Sequence, residues 1–500
     1  MDTPRWVTDA VFYQIFPDRF ARSDRLLKNG LHLEDWGSAP TTQGFKGGDL
    51  YGVLEHLDYI QDLGVNALYF TPVFASASNH RYQTYDYHQV DPLLGGNEAL
   101  RELLDAAHKR QIRVVLDGVF NHSGRGLWQF HHTLENGYAS PYVDWFYFDP
   151  DRLAGRRHWG AYPSAEEEAA IHNEGSFRAI GYQGWWNMPA LPKFNTSTAA
   201  VREFLFEVAE YWVKFGIDGW RLDVPSEIDD DSFWQEFRRR VRAVNPEAYL
   251  VGELWSDARR WLQGDQFDAC MNYQVTAAVL SFVTGEHLNL EETLRAGGYN
   301  GQVQPIDAAG FGDRLDAGLG MYSPEVNRVQ LNLLDSHDTP RFLTCAGGDL
   351  NSLKLALTFM FTYPGAPCLF YGDEVGIQGR HDPECRQAFP WQQDRWNTEL
   401  RQFAQELIRL HKSQAALRWG EYRRLASVGN LFAFSRGLDR ATYVTILNAA
   451  EQDQSIDLHV DASRPRRVHV VFGSADLRDE DALIVGMKAR SAAVLSIEQA

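Results

Sequence analysis

Cysteine is scarce in this chain, and the few cysteines are not spaced in pairs. Among 500 residues there are four, at Cys270, Cys345, Cys368 and Cys385, and no CxxC spacing occurs. This excludes a disulfide framework and a zinc site of the cysteine type. Uninterrupted apolar segments are short as well. None approaches the roughly 18 residues of a membrane span, so we expect no membrane partner.

Basic residues are outnumbered by acidic ones. The chain has 48 Lys and Arg against 67 Asp and Glu, a formal net charge of −19. Such a chain repels phosphate backbones and anionic membranes, so nucleic acid is not an expected partner. The first residues, MDTPRWVTDAVFYQIF, lack a basic segment followed by a long apolar stretch and a small-residue cleavage site. We therefore expect no secretory signal and a cytoplasmic location.

Short apolar runs recur along the chain and predict buried strands. Most are continuously apolar rather than alternating, which is typical of parallel strands covered on both faces. Stripes at spacings of three and four lie between them and predict helices. Alternation of strand and helix, with eight strands, predicts an α/β protein built on a (β/α)8 TIM barrel. The predicted strands are Ala10–Phe16, Ala67–Val73, Arg113–Phe120, Gly216–Val224, Ala248–Leu254, Phe267–Tyr273, Gln330–Asp335 and Ala366–Tyr371.

Two stretches depart from this alternation. From 121 to 193, after the third strand, no clean helical period appears, and His, Gly, Pro and aromatic residues are frequent. We interpret it as a long insertion, and long irregular segments are usually functional. Beyond about 411 the pattern becomes short alternating runs, which predict a separate all-β domain. The predicted domains are a barrel over 1–120 and 194–410, an insertion over 121–193, and a C-terminal β-sandwich-like domain over 411–500.

Acidic residues follow several of the predicted strands. Active sites of such barrels lie at the carboxyl ends of the strands. A single Asp at a strand end is more often a helix cap, but several acids delivered to one face favour catalysis. Two acids suffice for glycoside hydrolysis, because one protonates the leaving oxygen and the other attacks or activates water. The strand ends read Asp117-Gly-Val-Phe-Asn-His, Arg221-Leu-Asp223, Gly-Glu253, Asp335-Ser-His337-Asp338 and Gly-Asp373-Glu374.

Seven motifs, in order along the chain, resemble those of the α-amylase family of retaining α-glycoside hydrolases. They are GGDLYGV at 47–53, DGVFNH at 117–122, LPKFN at 191–195, GWRLDV at 219–224, GELW at 252–255, LLDSHD at 333–338 and GAPCLFYGDEVG at 365–376. The resemblance implies cleavage of α-1,4-glucosidic bonds in maltodextrins and in related short or cyclic α-glucans, so the expected partner is an oligosaccharide.

By this resemblance Asp223 is the nucleophile, Glu253 the general acid/base, and Asp338 the third acid, which stabilises the distorted sugar. Arg221 lies two residues before Asp223 on the same strand face, and we expect its charge to lower the pKa of Asp223. Glu253 must be protonated for the first step, so we expect a drier site and a raised pKa.

The same resemblance implies residues that contact the substrate. His122 and His337 are expected to bond sugar hydroxyls, Tyr82 to stack on a sugar ring, and His80 to add a hydroxyl contact. Asp117 is expected to order the site by pairing with Arg221. Two further candidates have structural alternatives: Trp255 lines the leaving-group side or packs in the barrel, and Arg341 is a site residue or half of a surface pair.

Finer motifs place the chain near cyclomaltodextrinases, neopullulanases, maltogenic amylases and maltodextrin glucosidases. LPKFN resembles their MPKLN form, and DVPSEIDDDSFWQEFR and GRHDPECRQAFPW at 379–391 agree with it. That group usually carries an N-terminal β-domain. Here the first predicted barrel strand begins near Ala10, so we expect this domain to be absent, and both a monomer and a homodimer remain open.

No cofactor is expected to be required, although relatives often hold calcium in the loop after the first strand. A hard cation needs six or more oxygens, and the candidates here are Asp18, Asp24, Asn29 and Asp49, with Asn121 for a second site. A plain solvated loop is the alternative. Two other functions stay open: a glycosyl-transferring member of the family, of the transglycosylase or sucrose/trehalose type, and a non-catalytic sugar-binding homologue. The latter would have lost the acids that are present here.

Overall fold

The computed structural model describes residues 2–156, 159–458, 466–479 and 483–499. Ten strands precede the C-terminal region of this part of the chain. They are β1 (Phe12–Ile15), β2 (Ala67–Phe70), β3 (Phe74–Ser76), β4 (Thr84–Val90), β5 (Arg113–Gly118), β6 (Gly219–Leu222), β7 (Tyr249–Gly252), β8 (Ala269–Cys270), β9 (Leu331–Leu333) and β10 (Ala366–Phe370).

Eight of these strands form one parallel sheet that closes almost completely into a barrel. Its order is β8-β7-β6-β5-β2-β1-β10-β9, while β3 and β4 pair as a separate antiparallel hairpin. The two end strands of this order meet through the parallel bridge between Met271 and Leu331. Each barrel strand lies inside one of the eight predicted segments, and the predicted TIM-type barrel is confirmed. The strands are buried on both faces, which explains their continuous apolar sequences.

Helices follow the barrel strands and cover the sheet. In α5, for example, Leu100, Leu103, Leu104 and Ala107 are buried. In the described residues the α-helices are α1 (Arg5–Thr8), α2 (Pro17–Phe20), α3 (Leu50–Glu55), α4 (Leu57–Leu63), α5 (Gly96–Lys109), α6 (Trp128–Asn136), α7 (Pro150–Leu153), α8 (Ala165–Glu174), α9 (Ser176–Ile180), α10 (Ala199–Phe215), α11 (Asp231–Val244), α12 (Tyr273–Val283), α13 (Leu290–Leu294), α14 (Ala308–Met321), α15 (Pro324–Val329), α16 (Phe342–Cys345), α17 (Leu350–Thr362), α18 (Thr398–Ser413) and α19 (Ala415–Trp419).

A long segment separates β5 from α10 and contains α6 to α9. It is tied back on itself by isolated bridges, including His122 with Lys193 and Phe146 with Phe194. The predicted insertion after the third barrel strand therefore begins directly beside the carboxyl end of β5. Its aromatic residues pack on one another and are continuous with the barrel core, and Phe130 packs edge-on against Phe146 and Tyr182.

The C-terminal region is antiparallel, as the alternating sequence predicts. Phe432 and Phe434 of its second strand pack against Phe311 of α14 and Phe359 of α17, so this region shares a core with the barrel. The strands are β11 (Glu421–Val428), β12 (Leu431–Leu438), β13 (Ala441–Asn448), β14 (Gln454–Leu458), β15 (Arg466–Gly473), β16 (Asp476–Asp479), β17 (Leu483–Met487) and β18 (Ser491–Gln499). They form a five-stranded sheet, β11-β12-β13-β18-β15, and a three-stranded sheet, β14-β17-β16.

In the part of the chain that the structure describes, no helix has both the length and the apolar character that a membrane crossing needs.

Candidate active site

Arg221 lies at the centre of the candidate site and joins three carboxylates. Its Nη1 lies 3.0 Å from both Asp117 Oδ1 and Asp223 Oδ1, and its Nη2 lies 3.1 Å from Glu253 Oε2. These groups stand at or just after the carboxyl ends of the neighbouring strands β5, β6 and β7, which explains why residues distant in sequence meet. The predicted pairing of Asp117 with Arg221 is thus present, and Asp223 and Glu253 are both buried.

Asp338 faces this group from beyond β9 and has its own basic partners. His337 Nε2 lies 3.0 Å from Asp338 Oδ2, and Arg386 Nη2 lies 3.2 Å from Asp338 Oδ1. Gln14 Nε2 donates to His337 Nδ1 at 2.8 Å, so the ring proton resides on Nε2 and faces the carboxylate. About a third of the Asp338 side chain (31%) is exposed, which leaves this acid accessible from the barrel mouth.

Tyr82 connects the two halves of the site. Its hydroxyl donates to Asp117 Oδ2 at 2.8 Å and lies 2.6 Å from His337 Nε2. The Tyr82 and His337 rings are parallel within 7°, with centroids 5.5 Å apart. His80 lies beside them, and its Nδ1 accepts the backbone N–H of Tyr82 at 3.2 Å. The predicted substrate-contact residues Tyr82, His80 and His337 therefore share one wall of the site.

Glu253 is held by donors on both of its oxygens. Trp255 Nε1 donates to Oε1 at 3.1 Å, and the backbone N–H of Val224 donates to Oε2 at 3.0 Å. Val224 has φ 36° and ψ 50°, a left-handed conformation that costs energy for a β-branched residue. This conformation points the backbone N–H of Val224 at Glu253. Trp255 in turn stacks on Tyr273 at a centroid distance of 3.6 Å, so it both packs and contacts the acid.

The charges of the site do not balance, because one guanidinium faces three carboxylates. Burial raises the pKa of Asp223 well above its usual value, and Arg221 only partly opposes that rise. Burial likewise raises the pKa of Glu253, as predicted. Arg221 does lower the pKa of Asp223, but removal from water outweighs this contribution, so the net pKa lies above its usual value. Both shifts favour the protonated forms of these two carboxyls.

The pKa of Asp338 shifts in the opposite direction, to below its usual value. Partial burial by itself raises its pKa, but the neighbouring His337 and Arg386 outweigh that effect and leave the pKa of Asp338 below its usual value. The site thus combines one acid whose pKa is lowered with a pair of acids whose pKa values are raised. Such a division of roles between carboxyls is what acid–base chemistry at a glycosidic bond requires.

His122 is buried at the start of the insertion. Its ring stacks on Trp185 at 5.1 Å and 11°, and Trp186 continues the stack at 4.7 Å toward solvent. Burial lowers the pKa of His122 to about 3, so this histidine is neutral at ordinary pH. Its Nε2 is a buried atom for which no hydrogen-bond partner is found among the described residues. His80 is similar, with a pKa lowered to about 3 by burial.

Arg341 lies in a separate buried network. Its guanidinium donates to Asp373 Oδ1 at 3.0 Å and to the carbonyls of Tyr371 and Cys385 at 2.7 and 2.9 Å. These contacts hold the loop after β10 in place and do not reach the three acids. Neither the sugar contact nor the surface pair considered for this residue has support here.

The calcium candidates are largely satisfied by the protein's own donors. Asp18 accepts from Arg19 Nε at 2.7 Å and from the backbone N–H groups of Lys46 and Gly47. Asp24 and Asn29 are exposed. Among the residues that the structure describes, no group of three or more His, Cys, Asp or Glu side chains is arranged to hold a metal.

A lysine stands where a cation would bind in this loop. Lys28 Nζ donates to the carbonyl of Gly47 and to Asp49 Oδ2, while Asp49 also accepts the N–H groups of Ser23 and Gly52. A divalent cation would meet this ammonium group, so the residues present do not fit calcium. Asn121 is buried beside His122, far along the chain from this loop, and its Oδ1 has no partner among the described residues.

Sequence reasoning missed several residues that support the site. Arg386 holds Asp338, Gln14 orients His337, and the Tyr69 hydroxyl donates to Asp117 Oδ2 at 2.9 Å. Arg386 lies in the GRHDPECRQAFPW motif, which could have drawn attention to it. Gln14 and Tyr69 lie inside apolar strand sequences, and nothing local marks their contacts.

Comparison with known proteins decides the family. Residues 14–427 match the family described as alpha amylase, catalytic domain. The chain belongs to the α-amylase family of glycoside hydrolases. The predicted membership of the α-amylase family, and with it the prediction of an enzyme, is confirmed.

Individual members of the α-amylase family resemble the chain over most of its length. It is 43% identical to a cyclomaltodextrinase of a Bacillus species, over 89% of this chain and 73% of that protein. It is 36% identical to the intracellular maltogenic amylase of Bacillus subtilis strain 168, over 96% of this chain and 76% of that one. The solved structure of the Nostoc punctiforme debranching enzyme superposes with a TM-score of 0.88 at 46% identity, covering 99% of both chains.

Proposed function

We propose that this protein hydrolyses α-1,4-glucosidic bonds of maltodextrins and of related short or cyclic α-glucans, with retention of configuration. The observation that carries the proposal is the cluster in which Arg221 holds Asp223 and Glu253 beside an accessible, ionised Asp338. The similarity to a cyclomaltodextrinase, a maltogenic amylase and a debranching enzyme supports the substrate class.

Asp223 acts as the nucleophile in this proposal. It attacks the anomeric carbon while Glu253 gives its proton to the leaving oxygen, and a glycosyl-enzyme forms. Glu253 then takes a proton from water, and the resulting hydroxide attacks the anomeric carbon from the face that the leaving group vacated. This attack breaks the bond to Asp223 from the opposite side and restores both carboxyls. Arg221 stabilises the carboxylate charge that passes from one acid to the other. In this proposal Glu253 carries a proton and Asp223 is ionised when substrate binds.

The remaining residues hold the sugar. Asp338 lies where its carboxylate accepts hydroxyl hydrogen bonds and stabilises the positive charge of the transition state. Tyr82 offers a ring surface, and His80 and His122 offer ring nitrogens to hydroxyls. Both ring nitrogens of His337 already contact protein groups, so His337 supports Tyr82 and Asp338. Trp255 lines the side on which the leaving group departs, next to the acid that protonates it.

The test follows products from maltotriose, β-cyclodextrin and pullulan by chromatography. Wild-type enzyme releases reducing sugars, and proton NMR of the first products gives the α-anomer. Asp223→Asn loses at least 10⁴-fold of the activity, whereas Asp394→Asn, at an exposed position, keeps it. Longer oligomers without net reducing ends would contradict hydrolysis and indicate glycosyl transfer, and an initial β-anomer would contradict retention.

We also propose a cytoplasmic location, which the similarity to an intracellular maltogenic amylase supports. Fractionation of the source cells would then find the activity in the cytosol, and activity mainly in the medium would contradict it. The proposed domains are the barrel over 1–120 and 194–410, the insertion over 121–193 and the β-domain over 411–500. Light scattering separates a monomer from a homodimer.

A further inference from the structure

A cavity of about 380 Å³ lies on the flank of the barrel, apart from the catalytic acids. It is enclosed by α12, α14 and the residues that lead into β9 and β10, close to the Met271–Leu331 bridge that closes the barrel. None of Asp223, Glu253 and Asp338 lines it. Its volume falls within the range of roughly 300–1,000 Å³ that is usual for small-molecule sites.

The chemistry of the lining is that of a site for a neutral, hydroxyl-rich molecule. Its walls are largely apolar, and its polar groups are mainly side-chain amides, from Asn272, Gln274, Gln302, Gln304, Asn327 and Gln330. Among the described lining residues none carries a carboxylate, although the chain as a whole has a net charge of −19. The guanidinium of Arg314 also lines the cavity, but its Nη1 already donates to Ser281 Oγ and to the carbonyl of Gln302. An amide both donates and accepts, as a sugar hydroxyl does.

Gln330 marks the inner wall of this cavity. Its side chain is only 2% exposed, and its Oε1 accepts the backbone N–H of Cys270 at 2.7 Å. That bond fixes the amide orientation and leaves Nε2 on the other side. The Gln330 side chain also bonds the Cys270 thiol, which partly opposes the rise that burial causes in the pKa of that thiol. Gln330 therefore fixes the inner wall of the cavity.

Helix α14 keeps the cavity open at a cost to its own stability. Gly318 lines the cavity, and a Cβ added there would meet no atom within 4 Å. Glycine inside a helix is less stable than alanine, and nothing in the packing at this position requires it. A side chain at 318 would instead project into free space beside the amides.

We propose that this cavity is a second binding site for a short α-glucan, separate from the catalytic acids. The inference rests on the proposed function for the choice of sugar. The amides of Gln274, Gln302 and Gln304 bond sugar hydroxyls, and the side chains of Tyr322 and Tyr363 supply apolar walls. The occupant lies next to Asn272, one residue before Tyr273, which stacks on the Trp255 that holds Glu253.

Two methionines allow both sites to be observed separately. Met321 lines the cavity, whereas Met271 Sδ lies 3.3 Å from Arg221 Nε in the catalytic cluster. The chain has six methionines, so ¹³C-methyl labelling gives few signals, which Met→Leu variants assign. Maltotriose is titrated into the Asp223→Asn protein, which does not consume it. Both methyl signals are expected to shift saturably, each with its own dissociation constant.

A matched pair of glycine variants localises the effect. Gly318→Leu is expected to abolish the sugar response of Met321 and to keep that of Met271. Gly320→Leu, in the same helix and equally unobstructed but outside the cavity, is expected to keep both. The proposal is overturned if Met321 does not respond at a concentration that saturates Met271, or if its response survives Gly318→Leu.

Hydrolysis of maltotriose by the wild-type protein is measured in parallel. If hydrolysis and the Met271 response are absent while Met321 responds, the proposed function fails and the second site stands. If hydrolysis is present and Met321 is silent, only the second site fails.

Discussion

The lysine in the loop after β1 leads to a sharp stability prediction. Lys28 and Asp49 form an ion pair whose side chains are 8% and 0% exposed. Replacing Lys28 by Met leaves Asp49 charged and buried, with only the N–H groups of Ser23 and Gly52 as donors. Breaking a buried pair from one side costs about 3–5 kcal/mol. Because those two donors remain, we expect about 3 kcal/mol, at the lower end of that range.

Urea unfolding, followed by tryptophan fluorescence, measures this loss. The matched control is Lys488→Met, which removes an exposed pair with Asp453 and should change stability by less than about 1 kcal/mol. The double variant Lys28→Met/Asp49→Asn removes both charges and should recover most of the loss, because the amide oxygen still accepts a backbone N–H. A Lys28→Met protein as stable as the wild type, or a double variant less stable than the single one, would refute the reasoning.

The Lys28→Met variant also tests whether Lys28 excludes calcium from the loop after β1. Wild-type stability should not change on adding a chelator or millimolar calcium, because the ammonium group already contacts Gly47 and Asp49. In Lys28→Met those oxygens are released, and calcium should raise the melting temperature. A chelator that lowers the melting temperature of the wild-type protein would contradict this account.

Three further outcomes follow from the site and its surroundings. Arg386→Met should lower kcat/KM by about 10–100-fold and move the acid limb of its pH profile to higher pH, because the pKa of Asp338 rises. Arg386→Lys should show a smaller change. An acid limb that does not move would contradict the pairing of Arg386 with Asp338. Burial lowers the pKa of His411 to about 3, so between roughly pH 3 and 6.5 the unfolded chain binds one more proton than the folded chain, and stability falls on acidification. His411→Asn should reduce the slope of unfolding free energy against pH by about 1.4 kcal/mol per pH unit in this range. Urea unfolding at a series of pH values measures this slope. Trp186→Ala removes a ring that is 74% exposed and should raise KM for maltoheptaose by about 2–10-fold without changing stability. An equal change in KM for maltose would contradict a contact between Trp186 and the distant part of a long substrate.

Much of the barrel could be predicted from sequence because its strands are buried on both faces. A run such as Val114–Leu116 has no alternation to confuse with an amphipathic strand, and its position after a helical stripe gives its direction in the sheet. The alternating β12 and β13 were equally clear. The near-closure between β8 and β9 was not predictable, since β8 has two residues and one bridge completes the barrel.

The acids of the site were found because barrel geometry brings strand ends together. Strand order alone predicts that Asp117, Asp223 and Glu253 lie close together at the carboxyl ends of the strands. Supporting contacts such as Arg386 to Asp338 or Lys28 to Asp49 depend on how loops fold over the barrel, and no local pattern encodes that. The pKa of Asp223 also escaped prediction, because its direction depends on how completely water is excluded.

The shared core between the barrel and the C-terminal strands makes the two inseparable in practice. Phe432 and Phe434 cover Phe311 and Phe359, and Arg490 reaches back to Asp349 at 2.7 Å. A chain truncated before β11 would expose these rings to water and tend to aggregate. Chimeras that exchange this region between relatives would therefore need to carry the facing residues of α14 and α17 with it. For protein engineering, the useful exchange unit extends inward from the β-domain to the outer helices of the barrel.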